Sequence, residues 1–175
     1  PLLLEAHAVY EDTATGMLIA QLKWRNLSHQ TVQAVNVTLH CKDSFGATLE
    51  ASTYQYIDVS AAPQGIFGSQ NAITLVSERT RLCEVTITGV SFADGSIWSA
   101  TREDTCKALP AGKFQTLSGA LLSQFERDVA DRGFSTAVKF TPQTYGDLWQ
   151  CGCGHWQKQD DDTCTSCKAT MTQLA

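Results

Sequence analysis

The sequence predicts a mostly β protein: an antiparallel β-sandwich, then one helix, then a small zinc ribbon. Apolar and polar residues alternate in short runs over the first hundred positions, one later stretch has helical spacing, and four cysteines in two close pairs lie near the end. Alternation with a period of two is typical of half-buried strands, and apolar residues every three to four positions are typical of a helix. We therefore predict a sandwich over 1–101, a connector with a helix over 102–148 and a zinc ribbon over 149–170.

Seven short strands are predicted in the first hundred residues, with boundaries set by the alternation and by turn-forming residues between the runs. They cover Leu2–Tyr10, Met17–Arg25, Val35–Lys42, Leu49–Val59, Ile66–Val76, Leu82–Phe92 and Ser96–Ala100. The third run alternates most cleanly, which makes Cys41 a small core residue. Seven such strands with turns at regular spacing indicate a sandwich of the immunoglobulin or fibronectin type.

The last two strands are separated by Ala93-Asp94-Gly95, and Asp-Gly is a strong hairpin signal because the turn requires positive φ. The segments Leu22–Ser28, Asp43–Gly46 and Val90–Trp98 resemble turn and core positions of immunoglobulin-like domains in bacterial proteins of unknown function. That resemblance spans about 100 residues and implies a fold rather than an activity.

One amphipathic helix is predicted at about 116–132, and Gly133 is placed to end it. Its apolar residues recur every four positions: Leu117, Leu121, Phe125 and Val129. The stripe packs on the sandwich or on the zinc unit, or else it docks another protein. Thr101–Gly112 and Phe134–Gly146 are predicted to be spacers on either side of the helix.

The end of the chain carries the spacing W-x-C-x-C-x10-C-x2-C, in which the cysteines are Cys151, Cys153, Cys164 and Cys167. Two thiolate pairs on tight turns would supply four ligands at about 2.3 Å from one tetrahedral zinc ion. Glycines inside and after the first pair let the backbone turn. We predict one structural zinc, since four protein ligands leave no open coordination position. The alternative is that these thiols form disulfides or stay free.

This spacing resembles the small zinc fingers of the Ran-binding-protein type, W-x-C-x(2-4)-C-x3-N-x6-C-x2-C, and more loosely bacterial zinc ribbons. Trp149 matches the family tryptophan and the four cysteines match the ligands. The first pair has one residue between its cysteines where the family has two to four, and Gln157 stands where the family has asparagine. Some members of the family bind RNA, and others bind ubiquitin through a Thr-Phe pair, but this chain has Gly154-His155 at that place.

The function predicted is a non-catalytic, zinc-binding protein-interaction module. Its candidate contact residues are Trp149, His155, Trp156 and Gln157. One alternative is a finger that binds single-stranded RNA by stacking bases on tryptophan. The finger lacks the arginines that such binding uses and carries three consecutive aspartates, which argues against RNA. A second alternative is an enzyme with an unrecognised site.

The composition limits the classes of partner that the chain could bind. A net charge of −5, a pI near 5.3 and 13 scattered Lys and Arg residues argue against a broad nucleic-acid or anionic-membrane surface. No apolar run reaches the ~20 residues that a membrane span needs. The chain begins at Pro1 without an initiating methionine, so an upstream segment carrying an anchor or signal is compatible with the sequence.

The other three cysteines are Cys41, Cys83 and Cys106. Free thiols beside a thiolate metal site predict a reducing, cytoplasmic compartment, because oxidants would compete for the ligands. The alternative is a Cys83–Cys106 or Cys41–Cys83 disulfide in an exported protein.

Known catalytic motifs are missing from the sequence. It contains no G-x-S-x-G, no H-E-x-x-H and no phosphate-binding glycine loop. His40 and Cys41 are sequence neighbours on a predicted strand, so their side chains point to opposite faces. The run Asp160–Asp162 lacks the glycine and glutamate of a calcium loop and is predicted to be a solvated hairpin tip.

Overall fold

The computed structural model describes residues 1–101, 105–110, 117–132 and 137–171. The chain divides into two compact units, Pro1–Ala108 and Leu109–Ala175. The described residues form three antiparallel sheets and a single helix. The predicted mostly β class is therefore confirmed.

Nine strands are described in the first unit. They are β1 (Leu2–Glu11), β2 (Leu18–Asn26), β3 (Val32–Lys42), β4 (Ser52–Tyr56), β5 (Ile66–Phe67), β6 (Ile73–Thr74), β7 (Leu82–Phe92), β8 (Ile97–Ser99) and β9 (Thr105–Cys106). One sheet has the order β1-β2-β5, and β6 also pairs with β2. The other sheet has the order β4-β3-β7-β8, and β9 also pairs with β7.

The core of this unit follows from the alternation in its longest strands. On β3, Val35, Val37, Leu39 and Cys41 are buried while the residues between them are exposed or half-buried, as predicted. Strands of both sheets contribute to one hydrophobic cluster. The buried residues of this cluster include Trp24, Val37, Leu39, Val85 and Ile87.

The predicted fifth strand is wrong as one element, because the chain forms two short strands, β5 and β6, around Gly68. Gly68 has φ +87°, and a Cβ there would lie 2.7 Å from the carbonyl oxygen of Leu22. Only glycine permits this close approach to β2, and the bend it makes ends the strand. The predicted fourth strand is also shorter than expected, since pairing with β3 covers only Ser52–Tyr56.

The hairpin between β7 and β8 is confirmed. Gly95 has φ +84°, and the Asp94 carboxylate accepts hydrogen bonds from the backbone and hydroxyl of Ser96. A strand that was not predicted follows: β9 pairs with β7 through Val85↔Cys106 and Thr86↔Thr105. It lies inside the stretch expected to be a polar spacer, of which residues 102–104 and 111–112 are outside the described ranges.

The second unit contains helix α1 (Gly119–Asp131) and three strands, β10 (Gln143–Tyr145), β11 (Leu148–Gln150) and β12 (Trp156–Lys158). The strands form one antiparallel sheet in chain order. β10 lies in the stretch Phe134–Gly146 that was predicted to be a spacer; the described part of this stretch, 137–146, is called the lead-in below.

The helix of the second unit agrees with the predicted amphipathic segment, within three residues at its start. The apolar residues of this helix are buried to different degrees: Val129 is buried, Phe125 is half-buried and Leu121 is 72% exposed. Val129 and Phe125 pack in the cluster that contains the cysteines of the chain end. Gly133, the predicted helix stop, lies outside the described residues. No helix in the described ranges has the length and apolar content needed to cross a bilayer.

Candidate metal centre

The first cysteine pair lies on a tight turn between β11 and β12. The backbone N–H of Cys151 donates to the carbonyl of His155 (2.8 Å), and the N–H of Gly154 donates back to the carbonyl of Cys151 (2.8 Å). Gly154 has φ +94°, and a Cβ there would lie 2.6 Å from Cε2 of Phe140. The turn therefore depends on glycine both for its backbone angle and for the space beside Phe140.

The second pair lies on a similar turn. The N–H of Cys164 donates to the carbonyl of Ala169 (2.8 Å), and the N–H of Lys168 donates to the carbonyl of Cys164 (2.9 Å). Lys168 takes the left-handed conformation, φ +63°, that Gly154 takes in the first turn. Each turn thus presents two cysteine side chains from a backbone closed by its own hydrogen bonds.

The two turns bring all four predicted ligands together. The four Sγ atoms lie within 4.8 Å of one another. Cys151 and Cys167 are 3.3 Å apart, and Cys153 and Cys164 are 3.7 Å apart. Four sulfurs at about 2.3 Å from a central metal in tetrahedral geometry would be about 3.8 Å apart. The cluster is thus arranged to hold a metal ion.

A small apolar core supports the cluster. It contains Val129, Val138, Trp149 and Ala169 together with the buried cysteines Cys151 and Cys164. The carbonyl of Gly152 accepts from the N–H groups of Lys139 (2.8 Å) and Phe140 (3.1 Å), which joins the lead-in segment to the first turn. The lead-in is therefore part of the site. Its alternating Val138 and Phe140 carried a signal that the sequence reasoning did not use.

Gln157 is placed beside the sulfurs. It is only 6% exposed, its amide nitrogen lies 3.7 Å from the Sγ of Cys164, and its carbonyl oxygen accepts from the hydroxyl of Thr165 (3.3 Å). An amide N–H directed at a thiolate stabilises the charged sulfur and fixes its orientation. Gln157 was predicted as a contact residue for a partner, and its burial makes it a support for the cysteine cluster.

Both tryptophans that were predicted as contact residues are buried inside the second unit. Trp149 is 0% exposed and Trp156 is 3% exposed. Both lie on strands of the three-stranded sheet, and the indole of Trp149 packs in the same apolar cluster as the cysteines. His155 is half-buried, and its Nδ1 lies 3.8 Å from the Sγ of Cys153.

The thiols shift one another's acidity. A hydrogen bond from Cys151 lowers the pKa of Cys153 to about 4. The same hydrogen bond, together with burial, raises the pKa of Cys151. Burial raises the pKa of Cys167 to about 11. The raised pKa values of Cys151 and Cys167 disfavour their thiolates at neutral pH, and a bound divalent cation would offset this by stabilising the charged sulfurs.

The other candidate sites from the sequence stay apart. Cys41 is buried in the core, whereas His40 is half-buried and its Nε2 contacts the hydroxyl of Thr86 (3.2 Å). The two side chains lie on opposite faces of β3, as predicted. The run Asp160–Asp162 is exposed, as expected for a solvated tip. Within the described residues, the four cysteines are the only group of three or more potential ligands placed to hold a metal.

Comparisons with known proteins add little. Neither the models of protein families nor the curated proteins contain a match to this chain. A solved structure of a hypothetical protein from Peptoclostridium difficile 630 aligns with a TM-score of 0.43 and 11% sequence identity. The alignment covers 63% of this chain and 94% of the other.

Proposed function

We propose that the chain is a non-catalytic protein-interaction module whose second unit is held together by one structural zinc ion. The observation that carries the proposal is the meeting of four Sγ atoms within 4.8 Å on two hydrogen-bonded turns. Cys151, Cys153, Cys164 and Cys167 would hold the metal. The zinc would supply no chemistry beyond cross-linking the two turns, since four thiolates complete its tetrahedral shell.

The ligand set favours zinc over other ions. Thiolates are soft ligands, and a tetrahedral set of four sulfurs is typical of zinc or of iron–sulfur chemistry, whereas calcium and magnesium prefer oxygen. The half-buried or buried state of the four cysteines restricts solvent access to the ion. A closed shell of this kind also supports a non-catalytic role, because a catalytic zinc keeps one position for water.

A protein partner is favoured over RNA by two features of the second unit. Asp160, Asp161 and Asp162 are exposed, and four thiolates around one Zn²⁺ would add two negative charges close by. Phosphate would be repelled by this surface. Burial of Trp149 and Trp156 also removes the aromatic faces on which bases would stack. A basic protein surface is the partner that this acidic turn would fit.

We also propose that the two sheets of the first unit form a sandwich of the immunoglobulin or fibronectin type. Their shared hydrophobic cluster supports this, since aligned sheets bury their inner faces against each other. Such a unit would serve as a rigid carrier for the zinc unit. The cytoplasm suits a chain that must keep its four ligands reduced.

The metal is tested by elemental analysis of protein purified under reducing conditions without chelator. We expect one zinc per chain in the wild type and in Cys106→Ser, and loss of the metal in Cys164→Ser. Cys106 is the control because it is a cysteine outside the cluster. Well under one metal per wild-type chain would contradict the proposal.

The partner class is tested by replacing the three aspartates of 160–162 with asparagine. This change keeps the backbone carbonyl that Trp149 uses and removes three charges. Capture of a protein partner should fall while zinc content stays at one per chain. Asp128→Asn together with Asp131→Asn, on the exposed side of α1, is the control. Salt-sensitive binding of pooled RNA by the wild type would instead favour the RNA alternative.

A further inference from the structure

Two thiols outside the metal centre face each other across neighbouring strands. Cys41 on β3 and Cys83 on β7 are Cα partners in the antiparallel register, and their Sγ atoms are 3.0 Å apart. Their exposed fractions are 1% and 4%. Both belong to the hydrophobic cluster of the first unit, where the sequence predicted a small core residue at position 41.

The backbone pattern shows what kind of pair this is. The carbonyl of Cys41 accepts from the N–H of Leu49, away from β7, whereas the carbonyl of Lys42 accepts from the N–H of Arg81, on the β7 side. Because successive residues direct their polar groups to opposite sides of a strand, Cys41 and Cys83 form a non-hydrogen-bonded pair. Such pairs have Cα atoms about 4.5 Å apart and close side chains. That spacing lies inside the range of about 4.4–6.8 Å that disulfides require.

We propose that Cys41 and Cys83 are a disulfide-forming site that cross-links β3 to β7 when the chain meets a low-molecular-weight disulfide such as oxidised glutathione. One protein thiolate attacks the small disulfide, which forms a mixed disulfide and releases one small thiol. The second protein thiolate then attacks the protein sulfur of that mixed disulfide and expels the second small thiol. Two electrons pass to the small disulfide, and the two thiol protons end on the two released thiols.

Burial decides when this exchange can take place. Removal from water raises the pKa of the Cys83 thiol, so little thiolate forms while the sheet is closed. The attacking species is the thiolate. The cross-link should therefore form during folding or when the β3–β7 pairing opens, and it should resist reductants once the core has closed over it.

Cys106 is the competing partner. It lies on β9 opposite Val85, two residues along β7 from Cys83, and it is half-buried. Cys41 lies directly opposite Cys83 in the strand register, whereas Cys106 lies diagonally from Cys83. Cys41 is therefore the nearer partner of Cys83 in the sheet. The strand register thus distinguishes the two disulfides that the sequence left open. Neither Cys41 nor Cys83 belongs to the four-cysteine cluster, so this cross-link does not depend on a bound zinc ion.

The experiment is refolding of the full chain, with zinc supplied, in buffers poised by oxidised or reduced glutathione. Free thiols are then alkylated in denaturant and the chain is digested with trypsin. Cleavage after Lys and Arg puts the three cysteines on separate peptides, 26–42, 82–102 and 103–107. We expect a reducible cross-link between 26–42 and 82–102 in the oxidised sample, with 103–107 alkylated.

Three variants make the result decisive. Cys106→Ser should keep the cross-link, and Cys83→Ser should lose it. Oxidised wild type should melt at a Tm higher than reduced wild type by roughly 5–15 °C, and the Cys41→Ala/Cys83→Ala variant should show no such difference. Full alkylation of 26–42 and 82–102 at every glutathione ratio, or a cross-link of 82–102 to 103–107, would overturn the proposal. Because peptide mapping needs only the wild type and Cys106→Ser, a variant that fails to fold does not remove the test.

Discussion

The indole N–H of Trp149 donates a 2.7 Å hydrogen bond to the backbone carbonyl of Asp161. The indole is fully buried, whereas Asp161 lies in the exposed acidic turn. This one bond joins β11, which leads into the first cysteine turn, to the loop that leads into the second. Ten residues separate Cys153 from Cys164, and the bond restrains the path of the chain between them.

Replacing the indole should therefore weaken the metal centre without touching a ligand. In Trp149→Phe the N–H donor is lost and part of the ring volume is left empty, which together cost about 1–3 kcal/mol. If this free-energy cost is lost from metal binding, the affinity of the chain for the metal falls on the order of 10-fold or more. Chelator competition measures it. Trp98→Phe, at a position on β8 that is 37% exposed, is the control and should bind metal like the wild type.

Gly154 and Gly146 form a matched pair for testing the first cysteine turn. Both have positive φ, +94° and +59°, so an added Cβ strains the backbone at each. Only at Gly154 would that Cβ also lie 2.6 Å from Phe140, whereas nothing lies within 4 Å at Gly146. Gly154→Ala should lower the stability of the second unit by about 1–3 kcal/mol more than Gly146→Ala does. Urea unfolding of the metal-loaded chain provides the comparison.

The clash can be separated from the backbone strain. Phe140→Leu in the Gly154→Ala background shortens the side chain that the new methyl group meets, so part of the lost stability should return. Equal losses in the two alanine variants would mean that contact with Phe140 does not constrain the turn.

The alternation of β3 shows what could be predicted from sequence. Val35, Val37 and Leu39 are apolar at every second position, and burial on one face of a sheet follows from that period alone. The spacing of the four cysteines also indicated the metal site, because two close cysteine pairs on turns are typical of metal ligands and of few other structures. These features depend on local patterns of residues, which can be read directly from the sequence.

Other features depend on approach between distant segments, which the sequence does not carry. The predicted fifth strand is split into β5 and β6 because the backbone of Gly68 lies close to the carbonyl of Leu22. β9 forms because Thr105 and Cys106 pair with an open edge of β7. Trp149 was expected at the surface because finger tryptophans can stack on ligands, but apolar side chains of the lead-in and helix share its cluster. None of these contacts produces a periodic pattern of residues in the sequence.

Acid stability should depend on Asp43. Its carboxylate accepts from the backbone N–H groups of Phe45 (2.9 Å) and Ala47 (3.0 Å) and pairs with Arg79 (2.7 Å). The backbone hydrogen bonds, first that of Phe45, lower the pKa of Asp43 below its ordinary value of 3.8. A lowered pKa in the fold gives stability that is fully present above the ordinary value and is lost as pH falls through the folded-state value.

The wild type should therefore lose free energy of unfolding more steeply below about pH 4 than Asp43→Asn, whose side chain does not titrate there. The two should differ most at neutral pH and converge in acid. Urea unfolding at a series of pH values measures this. Asp58→Asn, at an exposed position, is the control for the loss of one surface carboxylate. A constant difference between wild type and Asp43→Asn across the whole range would contradict the linkage.

Removing the metal should unfold the second unit and leave the first intact. Each unit has its own hydrophobic cluster, and the four cysteines belong only to the second. Among the residues that the structure describes, the hydrophobic cluster of the second unit contains six buried residues, two of which are predicted ligands. Apolar burial on that scale does not offset about 1–2 kcal/mol of backbone entropy for each ordered residue, so we expect a bound metal to hold the two turns together. The corresponding cluster of the first unit contains 18 buried residues within the described ranges, so we expect this unit to stay folded without the ion.

Hydrogen exchange with and without chelator measures this residue by residue. Protection should vanish in β11, β12 and the two cysteine turns, and α1 should lose it as well, because Val129 packs in the cysteine cluster. Protection in β3 and β7 should not change, since their ladder depends on pairing and core contacts within the first unit. Cys164→Ser without chelator should reproduce the same pattern, which separates loss of metal from any direct effect of the chelator. Loss of protection that spreads into β2 and β3 on chelation would mean that the units fold as one, and the metal would then stabilise the whole chain.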